Sequence, residues 1–176
     1  MNAVVETDRL ILRPFEPADF ETYFARVLGD ADVMRYLATG APMDKAEALT
    51  RFQQRLAAPP AELHAVWAVV ERLSGELIGH AALHALEGTE LVEVAYALGK
   101  RWWGRGYASE AASAAVRYGF ERLALDPIVA VTRPTNAASR RVLQKLGFSY
   151  VRDAVFYNGP AAYYELHKQD VAPAIR

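Results

Sequence analysis

From Leu91 to Ser109 the chain reads LVEVAYALGKRWWGRGYAS: a strand, a glycine-bearing loop and a helix start in succession. The apolar strand ends near Leu98, Gly104 and Gly106 lie in the loop, and a helix begins near Tyr107. Backbone N–H groups at a helix start lack intrahelical partners and carry the positive end of the helix dipole. Glycines let such amides wrap an anion without interference from Cβ. Lys100, Arg101 and Arg105 add positive charge, so the segment has the makings of a pyrophosphate cradle. A P-loop is excluded, because G-x-x-x-x-G-K-[ST] occurs nowhere in the chain. The dinucleotide fingerprint fails at its third glycine, where Ser109 stands. Thr132 and Arg133 also occupy the place of its ribose-binding acid. On this segment alone, a tight strand-to-helix turn without a ligand explains the glycines equally well.

Working outward, Ala108, Ala111, Ala112, Ala115, Val116, Gly119, Phe120 and Leu123 fall at helical spacing and continue the helix. Ile128 to Thr132 is a short buried strand. Thr135 or Asn136 then caps a helix carrying Ala138, Val142, Leu143 and Leu146, which stops at Gly147. Phe148 to Tyr157 and Ala161 to His167 flank Asn158-Gly159, a hairpin signal. Upstream, His64 to Glu71, Glu76 to Leu83 and Leu91 to Leu98 form an antiparallel meander through turns at Ser74-Gly75 and Glu87-Gly88. Arg9 to Phe15 supplies a first strand. Pro17 opens a helical stretch with Phe20, Phe24 and Val27, and Asp44 to Ala57 is a second helix. Pro59-Pro60 reads as a loop inside one domain. The order β-α-α-β-β-β-α-β-α-β-β gives an α+β (mixed α/β) fold, a mixed sheet with helices on both faces.

The 176 residues suffice for one domain with its own core, and 52% hydrophobic with 23% charged residues is ordinary globular composition. Twenty basic against 21 acidic residues leave a net charge of -1, which gives no basic surplus for nucleic acid. The absence of cysteine removes disulfides, thiolate metal sites and thiol nucleophiles together. The acidic start lacks the pattern of a signal peptide, and no apolar run reaches the roughly 18 residues of a membrane span. The expectation is a cytoplasmic protein with no membrane partner.

A second segment, Asn136 to Phe148, reads N-x-x-S-x-x-x-x-x-K-L-G-F. With R-x-x-G-x-G at Arg101, Gly104 and Gly106, it resembles the GNAT superfamily of acyl-CoA N-acyltransferases. The opening TDRLILRPFEPADF and the run DADVMRYL resemble the branch of ribosomal-protein N-terminal acetyltransferases. The likeness spans about residues 7–168 within a single domain of 1–176. It implies a three-layer fold whose mostly antiparallel, twisted sheet has about seven strands. It also implies acetyl transfer from acetyl-CoA to a primary amine, most readily a protein or peptide α-amine, without a metal. A small-molecule amine, or acyl-CoA binding without transfer, stays open as an alternative.

The amine must be neutral to attack, and its ordinary pKa is about 8 for an α-amine, so a base helps. Glu93 is the candidate, sharing a strand face with Ala95 and Ala97 opposite Val92, Val94 and Tyr96. The resemblance places backbone amides of Val94, Ala95 and Tyr96 at the acetyl oxygen, where they would stabilise developing charge. The family's usual tyrosine acid, seven residues after the motif asparagine, is replaced by Leu143, and Ser139 becomes the substitute. By the same resemblance, Arg101, Trp103, Gly104, Arg105, Gly106, Tyr107 and Ala108 form the cofactor loop. Asn136, Ser139, Arg141 and Lys145 extend it, with Arg140 available beside them. Met34 and Tyr36 face Tyr157 and Tyr163 across the acceptor cleft. Trp103, more than Trp102, is expected to pack the loop against the core. His80 and His84 share a strand face, but no nearby ligand set makes them a metal site. The expected assembly is a monomer or homodimer.

Overall fold

Alternating apolar positions build one sheet of eight strands in the computed structural model, which describes residues 3–37, 40–58 and 65–171. The strands are β1 (Val5–Glu6), β2 (Leu10–Arg13), β3 (Ala65–Glu71), β4 (Leu77–Ala85), β5 (Val92–Leu98), β6 (Ile128–Thr132), β7 (Ser149–Phe156) and β8 (Gly159–Leu166). Their spatial order is β1-β2-β3-β4-β5-β6-β8-β7, and only β5 and β6 run parallel. The strand beyond the expected seven is β1, whose two residues are too few to alternate. Pro59-Pro60 and His64 lie outside the described residues.

The alternation of β5 separates two cores. Val92, Val94 and Leu98 pack with Ala111, Ala112, Ala115 and Val116 of α4 (Tyr107–Arg122). The alanines of that helix let it lie close on the sheet. Ala97, on the other face, packs with Phe20, Tyr23, Val27 and Phe52. Phe52 belongs to α3 (Lys45–Ala57), whose start is capped by the Asp44 carboxylate accepting from the Ala46 and Glu47 amides. Each fully buried leucine, such as Leu12 or Leu83, contributes about 2 kcal/mol. The fifth helix, α5 (Ala137–Leu146), is capped by Asn136 rather than Thr135, its Oδ1 accepting from Ser139 N at 3.1 Å.

Two local readings are corrected. The stretch after Pro17 is not one helix. A 3-10 turn at Pro17–Asp19 leads into α1 (Phe20–Tyr23), a π turn at Phe24–Leu28 and a separate α2 (Ala31–Met34). The Asp30 carboxylate accepts from the Asp32 and Val33 amides and so starts a new helix where the old one would have continued. The hairpin turn sits on Tyr157-Asn158, both left-handed with φ of 51° and 55°, while Gly159 opens β8 opposite Phe156. Tyr157 holds that costly conformation because its N–H bonds the Glu87 carboxylate and its carbonyl accepts from Arg133 Nη2 at 3.3 Å.

The feature that positions the site is a split in the sheet. β4 and β5 stay paired from Ala85↔Val92 to Gly79↔Leu98. β5 and β6 pair only at Val92↔Ile128 and Glu93↔Val129. Beyond Glu93 the parallel strands diverge, and the β6 side of Val94 to Leu98 has no ladder partner.

Candidate active site

Into that split opens a cleft of about 420 Å³, walled by β5, β6, the start of α4 and one face of α5. Unpaired main-chain amides are strong hydrogen-bonding groups that demand a partner. Here they line a volume that a ligand can enter.

At one end lies the glycine loop. Gly104 and Gly106 have φ of 73° and 82°, and Gly106 immediately precedes the first turn of α4. The loop is braced from below by Arg9. Its Nε donates to Glu110 Oε2 at 2.7 Å, its Nη1 donates to the Arg105 carbonyl at 3.0 Å, and its guanidinium lies 4.4 Å from the centre of the Tyr107 ring. Thr7 Oγ1 donates to Glu110 at 2.6 Å, and the Tyr107 hydroxyl bonds Glu71. Nothing in local sequence signals this brace, since Arg9 and Glu110 are 101 positions apart.

The cleft brings together Val94, Ala95, Tyr96, Trp103, Gly104, Gly106 and Ala108 from the strand and loop. Asn136, Ser139, Arg141 and Lys145 of the α5 segment and Tyr36 join them. The Tyr96 hydroxyl sits 3.0 Å from Ser139 Oγ and so bridges β5 to α5, its pKa raised by burial. Leu143 is buried in the core. The tryptophans exchange the expected roles: Trp102 packs into the core, while Trp103 is 39% exposed at the cleft and donates Nε1–H to the Leu98 carbonyl at 2.7 Å. The 3-10 turn at Lys100–Trp102 selects which ring turns inward.

Several expected residues stand outside the cleft wall. Arg101 is exposed and 3.7 Å from Glu76, and Arg105 is exposed and offers its carbonyl to Arg9. Tyr107 lies under Arg9. Arg140 donates to the Tyr164 hydroxyl at 2.9 Å instead of reaching the cleft. Met34 is buried, the Tyr163 hydroxyl donates to Glu165 at 2.8 Å, and neither Glu93 nor Tyr157 lines the cleft.

Glu93 is 3% exposed on the face of Ala95 and Ala97, capped by the Tyr157 hydroxyl, with His84 Nδ1 3.6 Å away. Burial pushes its carboxyl up to about 7. The Tyr157 hydrogen bond pulls it back in part, and the Glu87 charge adds to the rise. A carboxyl at that value is poised for proton transfer at neutral pH. His80 of β4 also lines the cleft, a residue considered in the sequence only as half of a metal pair. Among the described residues no cluster of three His, Asp or Glu forms a metal site, and no helix is long and apolar enough to cross a membrane.

Comparison with known proteins agrees with the fold. The acetyltransferase (GNAT) domain model matches residues 9–149. The chain is 37% identical over 164 residues to YoaA, an uncharacterised N-acetyltransferase of Bacillus subtilis (strain 168), covering 90% of this chain and 92% of that one. A GNAT-family acetyltransferase crystal structure from Bacillus anthracis matches with a TM-score of 0.81 at 25% identity, covering 95% of this chain and 99% of that one. The ribosomal-protein-S5-alanine acetyltransferase of Vibrio fischeri shares the fold, with a TM-score of 0.75 at 21% identity over 98% of this chain and 100% of that one.

Proposed function

The chain belongs to the GNAT acetyltransferase family, and from that premise we propose that it acetylates the α-amine of a protein or peptide N-terminus. The observation that carries the site is the split between β5 and β6, which opens unpaired amides beside a helix-start cradle. A long thioester ligand with a pyrophosphate fits that pair of features, with the glycine loop at its charged end and the split at its acyl end. The acceptor is supported by residues 7–20 and 30–37, which resemble ribosomal-protein N-terminal acetyltransferases. Val33, Tyr36 and Leu37 of the second stretch line the cleft.

Acetyl-CoA supplies the activated acyl group. The amides of the Gly104–Gly106 loop and the first turn of α4 hold the pyrophosphate, with Arg141 and Lys145 adding charge from α5. Amides of Val94 to Tyr96 donate to the acyl oxygen as negative charge develops there. Glu93 acts as the base that takes the amine proton. Ser139 donates to the departing sulfur, oriented by the Tyr96 hydroxyl, and a thiolate with a pKa of roughly 8.5 needs no stronger acid.

Arg9→Ala is expected to weaken acetyl-CoA binding about fivefold in a calorimetric titration, because the loop loses its brace while keeping its own amides. The function itself is tested by thiol release from acetyl-CoA, which a cysteine-free protein reports without background. Sustained release with short N-terminal peptides, faster than with polyamines or aminoglycosides, is the expected result. Release with the small amines alone would move the acceptor to that class.

A further inference from the structure

His80 lines the cleft yet has no task in this scheme. It stands opposite Ala97, on the sheet face of Ala95 and Glu93, which is the side walled by α1 and α2. Its Nδ1 is 2.9 Å from the hydroxyl of Tyr23, which is 4% exposed and has no other hydrogen-bond partner among the described residues. A buried hydroxyl without an acceptor costs about 1–3 kcal/mol. The Tyr23 O–H therefore donates, Nδ1 accepts, and a neutral imidazole carries its proton on Nε2. Burial, Arg55 and His84 push the ring down to about 3, so it is uncharged throughout the physiological range. Nε2 has no partner among the described residues and is the nitrogen left to the cleft.

A neutral N–H donor on the acceptor side calls for a neutral acceptor atom. The acyl oxygen already has the β5 amides. In an α-aminoacyl group the carbonyl carbon is two bonds from the nitrogen, so its oxygen enters the cleft with the amine. A lysine side chain or polyamine brings no such oxygen. A donor without charge also adds no repulsion against an arriving ammonium.

We propose that the Nε2–H of His80 donates a hydrogen bond to the carbonyl oxygen beside the acceptor amine and so selects α-aminoacyl ends over amines that lack that carbonyl. The selection rests on the α-amine function above.

The test compares alaninamide with isopropylamine, which carries a methyl group in place of the carboxamide, in the protein and in the double variant His80→Phe/Tyr23→Phe. Comparing the ratio between the two proteins cancels the difference in amine pKa. The double variant removes both hydrogen-bonding groups and leaves no orphaned hydroxyl. The ratio of kcat/KM for alaninamide over isopropylamine is expected to fall about tenfold, the size of one neutral hydrogen bond. An unchanged ratio, with both rates lowered together, would overturn the proposal and put His80 at the acyl group or in the scaffold. Nitrogen-15 spectra of the imidazole give a second readout that needs no turnover. The Nε2-protonated tautomer is expected, with Nε2 shifting when alaninamide, and not isopropylamine, is added to the CoA-bound protein. An Nδ1-protonated ring, or equal shifts with both amines, would also overturn it. Failure of the underlying function looks different: no amine-dependent thiol release from the unaltered protein, whatever the spectra show.

Discussion

Gly106→Asp is expected to weaken acetyl-CoA binding about a hundredfold. Gly106 sits at φ 82° immediately before α4. A side chain in that conformation costs about 1–2 kcal/mol; the unliganded loop relaxes away from it, so the cost falls on binding. The carboxylate adds repulsion at the point where the helix-start amides face an anion, and the two together reach about 3 kcal/mol, which corresponds to about a hundredfold in affinity. Gly106→Ala separates the contributions, retaining the strain without the charge. Calorimetric titration measures both, and parental affinity in the aspartate variant would remove the pyrophosphate from this loop.

Glu93→Gln is expected to lower kcat at least a hundredfold at neutral pH while acetyl-CoA affinity stays within twofold, the range seen when a general base is lost. The pH profile sharpens the test. Because burial pushes the carboxyl up to about 7, it is protonated and inactive below that value. The parental kcat should therefore rise with pH to a plateau above about 7, and the glutamine variant should lose that limb. Equal rates in the two proteins would exclude Glu93 as the base. Stability moves in the opposite sense. A carboxyl that binds its proton more tightly when folded favours folding below its ordinary value of 4.5, and that contribution is lost as pH rises to about 7. The interval corresponds to about 3 kcal/mol. Glutamine carries no such charge, so the thermal midpoint of the variant should fall less between pH 5 and pH 8 than the parent's.

What the sequence made legible was local. The loop from Gly104 to Gly106, the Asn136 cap and the shared face of Glu93, Ala95 and Ala97 all follow from spacing within a few residues. Even the tryptophan exchange was local, but two identical side chains in succession give no hint which one a 3-10 turn points inward. The pieces that stayed hidden are contacts between distant segments. Arg9 meets Glu110 across 101 positions, Tyr23 meets His80 across 57, and Tyr157 meets Glu93 across 64. No periodicity records such meetings. They arise only when the sheet sets β4, β5 and, beyond β6, the β8–β7 hairpin in order and packs α1 and α4 against its faces. The same limit explains why the sequence offers Glu93 as a candidate without showing the hydroxyl that caps it.

The two-pair seam between β5 and β6 has a mechanical meaning. β4 and β5 are stitched by seven residue pairs, and β5 and β6 by two. A sheet creases where two long strands share few pairs, so the protein resembles a book whose spine lies at Val92, Glu93, Ile128 and Val129. One leaf carries β1 to β5, and the other carries β6, β8, β7 and, following β6, α5. Opening or closing at this seam would change the gap along Val94 to Leu98 without breaking a long ladder.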